Sequence, residues 1–157
     1  MANVLRFLIS VTLPLLVGGL SGFATARGVQ DWYPSLTKPP FNPPAWVFGP
    51  VWTLLYITMG VAAYLVWQKG WENEVVRVAL VLYMVQLVLN GLWSVLFFGV
   101  QSPLLAFAEI ILLWLAIAAT IVWFWRVAPV AGMLLLPYEA WVSFAALLNG
   151  SLWILNR

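Results

Sequence analysis

Amide, phenol and indole side chains recur at helical spacing in three apolar segments of the chain. Gln86, Asn90 and Trp93 fall at i, i+4 and i+7, which places them on one helix face. Trp52 and Tyr56 are one turn apart in an earlier segment, and a later segment repeats the pattern with Tyr138, Trp141, Ala145 and Asn149. We call these three rows the aromatic faces. They predict either a flat-walled ligand pocket with few polar anchors or hydrogen bonds that only join helices.

Two carboxylates, Glu109 and Glu139, also lie within apolar segments. An acid at membrane depth is a candidate functional group, and the alternative is a protonated or hydrogen-bonded structural acid, within the bundle or at a subunit contact. Glu139 follows Tyr138 directly, so it points about 100° away from that residue on a helix. We therefore expect Glu139 to lie outside the pocket.

The chain contains no cysteine and no histidine. This composition excludes disulfides, thiol nucleophiles and Cys/His zinc sites, as well as histidine or thiolate ligation of haem iron. It also excludes any catalytic triad that uses histidine as the base. We expect no metal, no bound cofactor and no conventional catalytic residues. The seven basic residues are spread along the chain, so nucleic acid is not an expected partner.

The elements that carry these residues are predicted to cross a lipid bilayer. The 157 residues are 64% hydrophobic and 8% charged, whereas soluble domains carry about 25% charged residues. We predict an all-α membrane protein, one domain over residues 1–157, built as a bundle of five transmembrane helices. A long loop joins helices 1 and 2, and the helices are predicted at about 5–26, 44–68, 77–99, 103–125 and 129–153.

Local sequence features support the predicted ends of the helices. The first apolar run is about 20 residues long, which favours a retained spanning helix over a cleaved signal peptide. Asn42 is predicted to cap the second helix, Ser102 with Pro103 to start the fourth, and Pro129 to start the fifth. Small residues at Gly18, Gly22 and Ala26 permit close packing of the first helix, within the bundle or in a dimer.

Three longer motifs carry a family resemblance: "KPPFNPPAWVFGPVWTLLY", "QLVLNGLWSVLFFG" and "LLPYEAWVSFAALLN". Their order and spacing resemble the tryptophan-rich sensory protein/translocator protein (TspO/MBR) family along nearly the whole chain. The resemblance implies a five-helix bundle, often a homodimer, that binds porphyrins and other tetrapyrrole intermediates. It also implies a pocket lined by helices one, two, three and five, with the first loop as its lid. Carried over by motif, the ligand-binding residues are Trp32, Tyr33, Trp46, Trp52, Tyr56, Gln86, Asn90, Trp93, Tyr138, Trp141 and Ala145.

Two positions depart from the family pattern. Gly150 stands where a tyrosine follows the asparagine of the family's sterol-recognition segment, so the tyrosine-centred cholesterol pattern is absent. Glu139 stands where relatives usually carry an apolar residue. Without histidine or cysteine, the site suits a metal-free macrocycle stacked on indole and phenol rings. Gln86, Asn90 or the loop backbone would then anchor its propionates.

The resemblance therefore implies a receptor or sensor in a membrane, where the chain regulates tetrapyrrole metabolism or a stress response. The expected partners are a porphyrin or another planar hydrophobic ligand, the lipid bilayer and a second copy of the chain. We expect a multi-pass protein of a bacterial cell membrane. One alternative is a light- and oxygen-dependent porphyrin-degrading enzyme, with Trp52 and Trp141 as its reactive indoles, and another is a transporter of porphyrins or sterols.

Overall fold

The computed structural model describes residues 2–157, apart from the side chains of residues 2, 24 and 27. Its five long helices are α1 (Ala2–Asp31), α2 (Ala45–Trp67), α3 (Glu74–Ser94), α4 (Pro103–Val127) and α5 (Pro129–Leu155). A short 3₁₀ turn, Tyr33–Ser35, follows α1, and a π-helical turn, Val95–Gly99, extends α3. No strand occurs in this part of the chain, so the prediction of an all-α fold is confirmed.

All five helices contain a segment long and apolar enough to cross a membrane. The observed ends lie close to the predicted ones, with α1 as the main exception. That helix continues to Asp31, beyond the predicted end at residue 26. Hydropathy locates only the lipid-buried part of a helix, and hydrogen bonding can extend the helix beyond the bilayer.

The start of α2 differs from the prediction. Asn42 does not cap this helix, because Pro44 occupies the N-cap position. The Asn42 side chain instead accepts a hydrogen bond from the Tyr33 hydroxyl at 2.7 Å, which joins the two ends of the loop. The prediction for α4 is confirmed, since the Ser102 hydroxyl accepts a hydrogen bond from the Leu105 amide at 3.3 Å.

Close backbone contacts at glycines set the position of α1. A Cβ added to Gly60 of α2 would lie 2.6 Å from the Cα atom of Val11, so the two helices touch there. At the other end of α1, a Cβ on Gly28 would lie 2.8 Å from the Phe98 side chain in the π-helical turn. The helix therefore packs on α2 at its start and on the end of α3 at its finish.

Candidate functional site: a cavity between the helices

A cavity of about 490 Å³ lies inside the bundle, at the end where the α1–α2 loop, the π-helical turn and the end of α5 meet. All five helices contribute to its wall, and Tyr33 contributes from the loop. On α2 the lining runs from Ala45 to Tyr56, which corresponds to a depth of about 16 Å at the helical rise. The cavity therefore occupies one half of the bundle and has its deepest point near Tyr56.

Seven of the eleven predicted site residues line this cavity: Tyr33, Trp52, Tyr56, Asn90, Trp93, Trp141 and Ala145. The helical periodicity of the aromatic faces is the reason for this agreement, because residues one turn apart share a helix face. The other four predicted residues are Trp32, Trp46, Gln86 and Tyr138, and none of them belongs to the lining.

Trp32 and Trp46 lie near the loop end of the cavity but outside its wall. Trp46 is 75% exposed in the first turn of α2, where an indole suits the membrane surface. Trp32 packs edge-on against Phe97, with 5.4 Å between ring centroids, and so anchors the loop on the π-helical turn. Neither position follows from a motif alone, because rotation at a helix end depends on the packing of its neighbours.

Gln86 and Tyr138 lie beneath the deepest part of the cavity, where they are 1% and 0% exposed. The Tyr56 hydroxyl donates to Asn90 Oδ1 at 2.6 Å, and Asn90 Nδ2 donates to the Tyr138 hydroxyl at 2.8 Å. The Tyr138 hydroxyl in turn donates to Gln86 Oε1 at 2.9 Å. We call these four side chains the buried network. It joins α2, α3 and α5, so the same aromatic faces both line a cavity and tie helices together.

The buried network changes the expectation for propionate anchoring. Gln86 does not line the cavity, and its side-chain oxygen already accepts from the Tyr138 hydroxyl. Asn90 already uses its carbonyl oxygen and one amide hydrogen in the network. It retains one amide hydrogen, so it can donate one further hydrogen bond to a ligand.

Aromatic rings form much of the cavity wall and hold each other in place. Trp52 stacks on Tyr56 with centroids 5.5 Å apart, and Trp93 stacks on Phe97 at 5.1 Å. The Trp93 indole nitrogen donates to Asn149 Oδ1 at 3.0 Å, which fixes the orientation of its ring. These contacts hold flat apolar surfaces in fixed orientations on the cavity wall.

Trp141 lines the cavity from α5. It packs edge-on against Phe48, with centroids 6.0 Å apart. Its buried indole nitrogen has no hydrogen-bond partner among the described residues. The ring is therefore held by packing alone.

Several parts of the wall were not predicted. The resemblance implied that α1 lines the pocket but supplied no residue from it, and Gly18 and Gly22, interpreted only as packing residues, line the cavity with Gly19. Ile110 and Leu113 of α4 also line it, although the resemblance did not include this helix. Phe97 and Phe98 line it together from the π-helical turn. Their signal is the aromatic pair in "VLFFG", but the π-helical geometry that directs adjacent rings to one cavity is not visible in the sequence.

The loop over the cavity is held at several points. The Asn156 side chain accepts from the Thr37 amide at 2.8 Å and donates to the Thr37 carbonyl at 2.9 Å, so the end of α5 fastens the loop. The Lys38 ammonium lies 4.8 Å from the centroid of the Tyr33 ring. Burial raises the pKa of the Tyr33 phenol, and its hydroxyl donates to Asn42.

Glu109 and Glu139 do not line the cavity. Their carboxylate oxygens are buried and have no hydrogen-bond partner among residues 2–157. Near Glu139, the Trp114 indole nitrogen donates to the Ser143 hydroxyl, which donates to the Glu139 backbone carbonyl, both at 2.8 Å. This contact ties α4 to α5.

Comparisons with known proteins identify the family. The TspO/MBR family profile matches residues 10–154. The chain is 43% identical to the tryptophan-rich protein TspO of Archaeoglobus fulgidus over 155 residues, which cover 98% of this chain and 99% of the relative. It is 42% identical to the translocator protein of Homo sapiens over 94% of this chain and 86% of the relative. It is 39% identical to the tryptophan-rich sensory protein of Cereibacter sphaeroides over 81% of this chain and 78% of the relative. With five apolar helices and these relatives, the chain is a multi-pass integral membrane protein that belongs to the TspO/MBR family.

Proposed function

We propose that this protein is a membrane receptor or sensor that binds porphyrins and other flat hydrophobic ligands in the cavity. The observation that carries the proposal is the set of seven predicted residues that line one space of about 490 Å³. Stacked indole and phenol rings match the faces of a planar macrocycle. No Lys, Arg, Asp or Glu belongs to the described lining, so the enclosed part of the ligand is apolar and uncharged.

The proposed ligand is a metal-free tetrapyrrole, whose ring needs no axial ligand from the protein. Because the polar groups of the buried network already pair with each other, the propionates would lie at the loop end of the cavity, where the loop backbone would anchor them. Asn90 would supply one hydrogen bond, and Trp52 and Trp141 would supply stacking or edge contacts. Binding would report tetrapyrrole levels and so regulate tetrapyrrole metabolism or a stress response.

The test is a titration of the purified protein with protoporphyrin in lipid nanodiscs, followed by tryptophan fluorescence and porphyrin absorption. We expect saturable quenching with one ligand per chain. Trp52→Phe, Trp141→Phe and Asn90→Ala should each weaken binding. Trp125→Phe is the matched control, because Trp125 is exposed and does not line the cavity. Equal affinity in all four variants would refute the site, and unsaturable quenching would refute the function.

A second candidate function, photo-oxidative degradation of porphyrin, is supported by the position of Trp52 and Trp141 on the wall of the same cavity. A porphyrin bound there would be excited next to two oxidisable indoles in the presence of oxygen. Illumination of the protoporphyrin complex should then bleach the ligand faster in the wild type than in the Trp52→Phe, Trp141→Phe double variant. Equal bleaching would reduce the reaction to photochemistry of the free porphyrin.

The homodimer and the transport alternative remain predictions. Chemical cross-linking in native membranes, with monomeric and dimeric bands resolved, tests the first. Porphyrin flux into proteoliposomes above the flux into protein-free vesicles tests the second. The receptor proposal expects no flux above that background.

A further inference from the structure

The exposed part of the cavity wall lies on two helices. Six described lining residues are exposed, and all belong to α1 or α2: Leu15, Gly19, Gly22, Ala45, Gly49 and Thr53. The lining residues of α3, the π-helical turn, α4 and α5 are buried or half-buried. The cavity therefore opens between α1 and α2. We call this opening the lateral gap.

Packing of α1 explains why the gap exists. The ring of Tyr56 fills the space over Gly18, which closes the contact between α1 and α2 at that level. Past this point, α1 is directed toward the π-helical turn by the Gly28–Phe98 contact. A Cβ added to Gly19, Gly22 or Gly49 would meet no atom within 4 Å. The two helices therefore separate beyond Gly18, and glycines leave the space between them unfilled.

The lateral gap lies at membrane depth. Gly19 and Gly22 belong to the apolar span Asn3–Phe23, and Gly49 and Thr53 belong to the span Ala45–Trp67. Thr53 is the one polar side chain among the six exposed residues, and its hydroxyl donates to the Gly49 carbonyl at 2.9 Å. The rim of the gap thus offers acyl chains an apolar surface with no free side-chain donor.

At the loop end of the cavity, by contrast, hydrogen bonds hold the loop in place. Asn156 is bonded to both backbone groups of Thr37, and Tyr33 is bonded to Asn42 across the loop. A ligand that entered from water at this end would have to break these contacts, whereas the lateral gap requires no bond to break.

We propose that ligands enter and leave the cavity sideways from the bilayer, through the lateral gap. The inference rests on the proposed binding function and deepens it, because it restricts the ligands to molecules that partition into lipid. It also makes the glycines at positions 22 and 49 determinants of binding kinetics.

The first test fills the gap. Gly22→Leu and Gly49→Leu add side chains where the structure has open space, so both variants should fold. Ala108→Leu on α4 is the matched control, since Ala108 is exposed and outside the cavity wall. Protoporphyrin is loaded into the nanodisc bilayer, and association and dissociation are followed by stopped-flow fluorescence.

We expect both rates to fall about tenfold in the glycine variants, which corresponds to roughly 1.4 kcal/mol added to each barrier. Both glycines also line the cavity, so leucines that only weakened binding would raise the dissociation rate, whereas a blocked gap lowers it. Ala108→Leu should match the wild type. Unchanged rates would overturn the proposal. Faster association in an Asn156→Ala variant would also overturn the proposal, because that result would place the entry at the loop.

A second test does not depend on porphyrin binding. The chain has no cysteine, so Ala145→Cys places a single thiol on the cavity wall. N-ethylmaleimide, which enters lipid, should modify this thiol, and a charged thiosulfonate, which stays in water, should not. Adding Gly49→Leu should slow the maleimide reaction. Equal reaction with the charged reagent would refute the lateral route. If Gly49→Leu slows the maleimide reaction but the protein binds no porphyrin, only the proposed ligand is refuted.

Discussion

Replacing Tyr138 by phenylalanine should destabilise the protein without touching the cavity surface. The Tyr138 hydroxyl accepts from Asn90 at 2.8 Å and donates to Gln86 at 2.9 Å, and the residue is 0% exposed. Interhelical hydrogen bonds in membranes average about 0.6 kcal/mol and reach about 1.7 kcal/mol. Loss of two such bonds predicts a decrease of about 1–3 kcal/mol in the free energy of unfolding.

The chain offers a matched control in Tyr83. This residue is 3% exposed, and its hydroxyl has no hydrogen-bond partner among the described residues. Tyr83→Phe removes the same atom from a similar environment, but it relieves an unpaired buried group. We therefore expect the free energy of unfolding to stay the same or to rise.

Equilibrium unfolding in mixed micelles, followed by circular dichroism during titration with dodecyl sulfate, measures both variants. Gln86→Leu and the double variant Gln86→Leu, Tyr138→Phe complete a double-mutant cycle, and we expect a favourable coupling energy between the two residues. An equal loss of stability in Tyr83→Phe and Tyr138→Phe would refute the buried network as the source of the effect.

Two further predictions concern the glycine contacts and the loop. Gly60→Ala should lower stability by roughly 1–3 kcal/mol, as overpacking does, because its Cβ would lie 2.6 Å from the Val11 backbone. Gly49→Ala should not lower it, since that Cβ meets open space, and a similar loss in both variants would contradict the assigned contacts. Asn156→Ala should speed amide hydrogen exchange at Thr37, whose amide donates to the Asn156 side chain, while exchange in the helix interiors stays unchanged. Unchanged exchange at Thr37 would show that the loop does not depend on this clamp.

The helices and the inner surfaces of the bundle were predictable because each depends on local sequence. Apolar runs of about 20 residues specify spans, and residues one turn apart specify faces, so Trp52 with Tyr56 and Asn90 with Trp93 were placed together correctly. Gln86 and Tyr138 lie on the predicted faces but below the level at which the cavity ends. Helical periodicity gives the direction of a side chain and does not give the level at which a cavity ends.

Other features depend on contacts between distant segments. The exposure of Trp46 and the packing of Trp32 depend on how the loop meets the π-helical turn. The observed role of Asn42 differs from the predicted helix cap for the same reason, since its partner Tyr33 lies across the loop. The lateral gap depends on which glycines meet a neighbour and which do not, and Gly18 and Gly22 differ in this respect although their spacing is regular.

The central claim is that a planar ligand binds between Trp52, Trp93 and Trp141. Fluorine NMR of protein labelled with 5-fluorotryptophan tests it most directly, with each signal assigned by a Trp→Phe variant. On addition of protoporphyrin in nanodiscs, the signals of these three residues should shift strongly, and those of the exposed Trp46 and Trp125 should stay nearly constant. Equal shifts at all positions, or shifts only at exposed indoles, would contradict binding in the cavity.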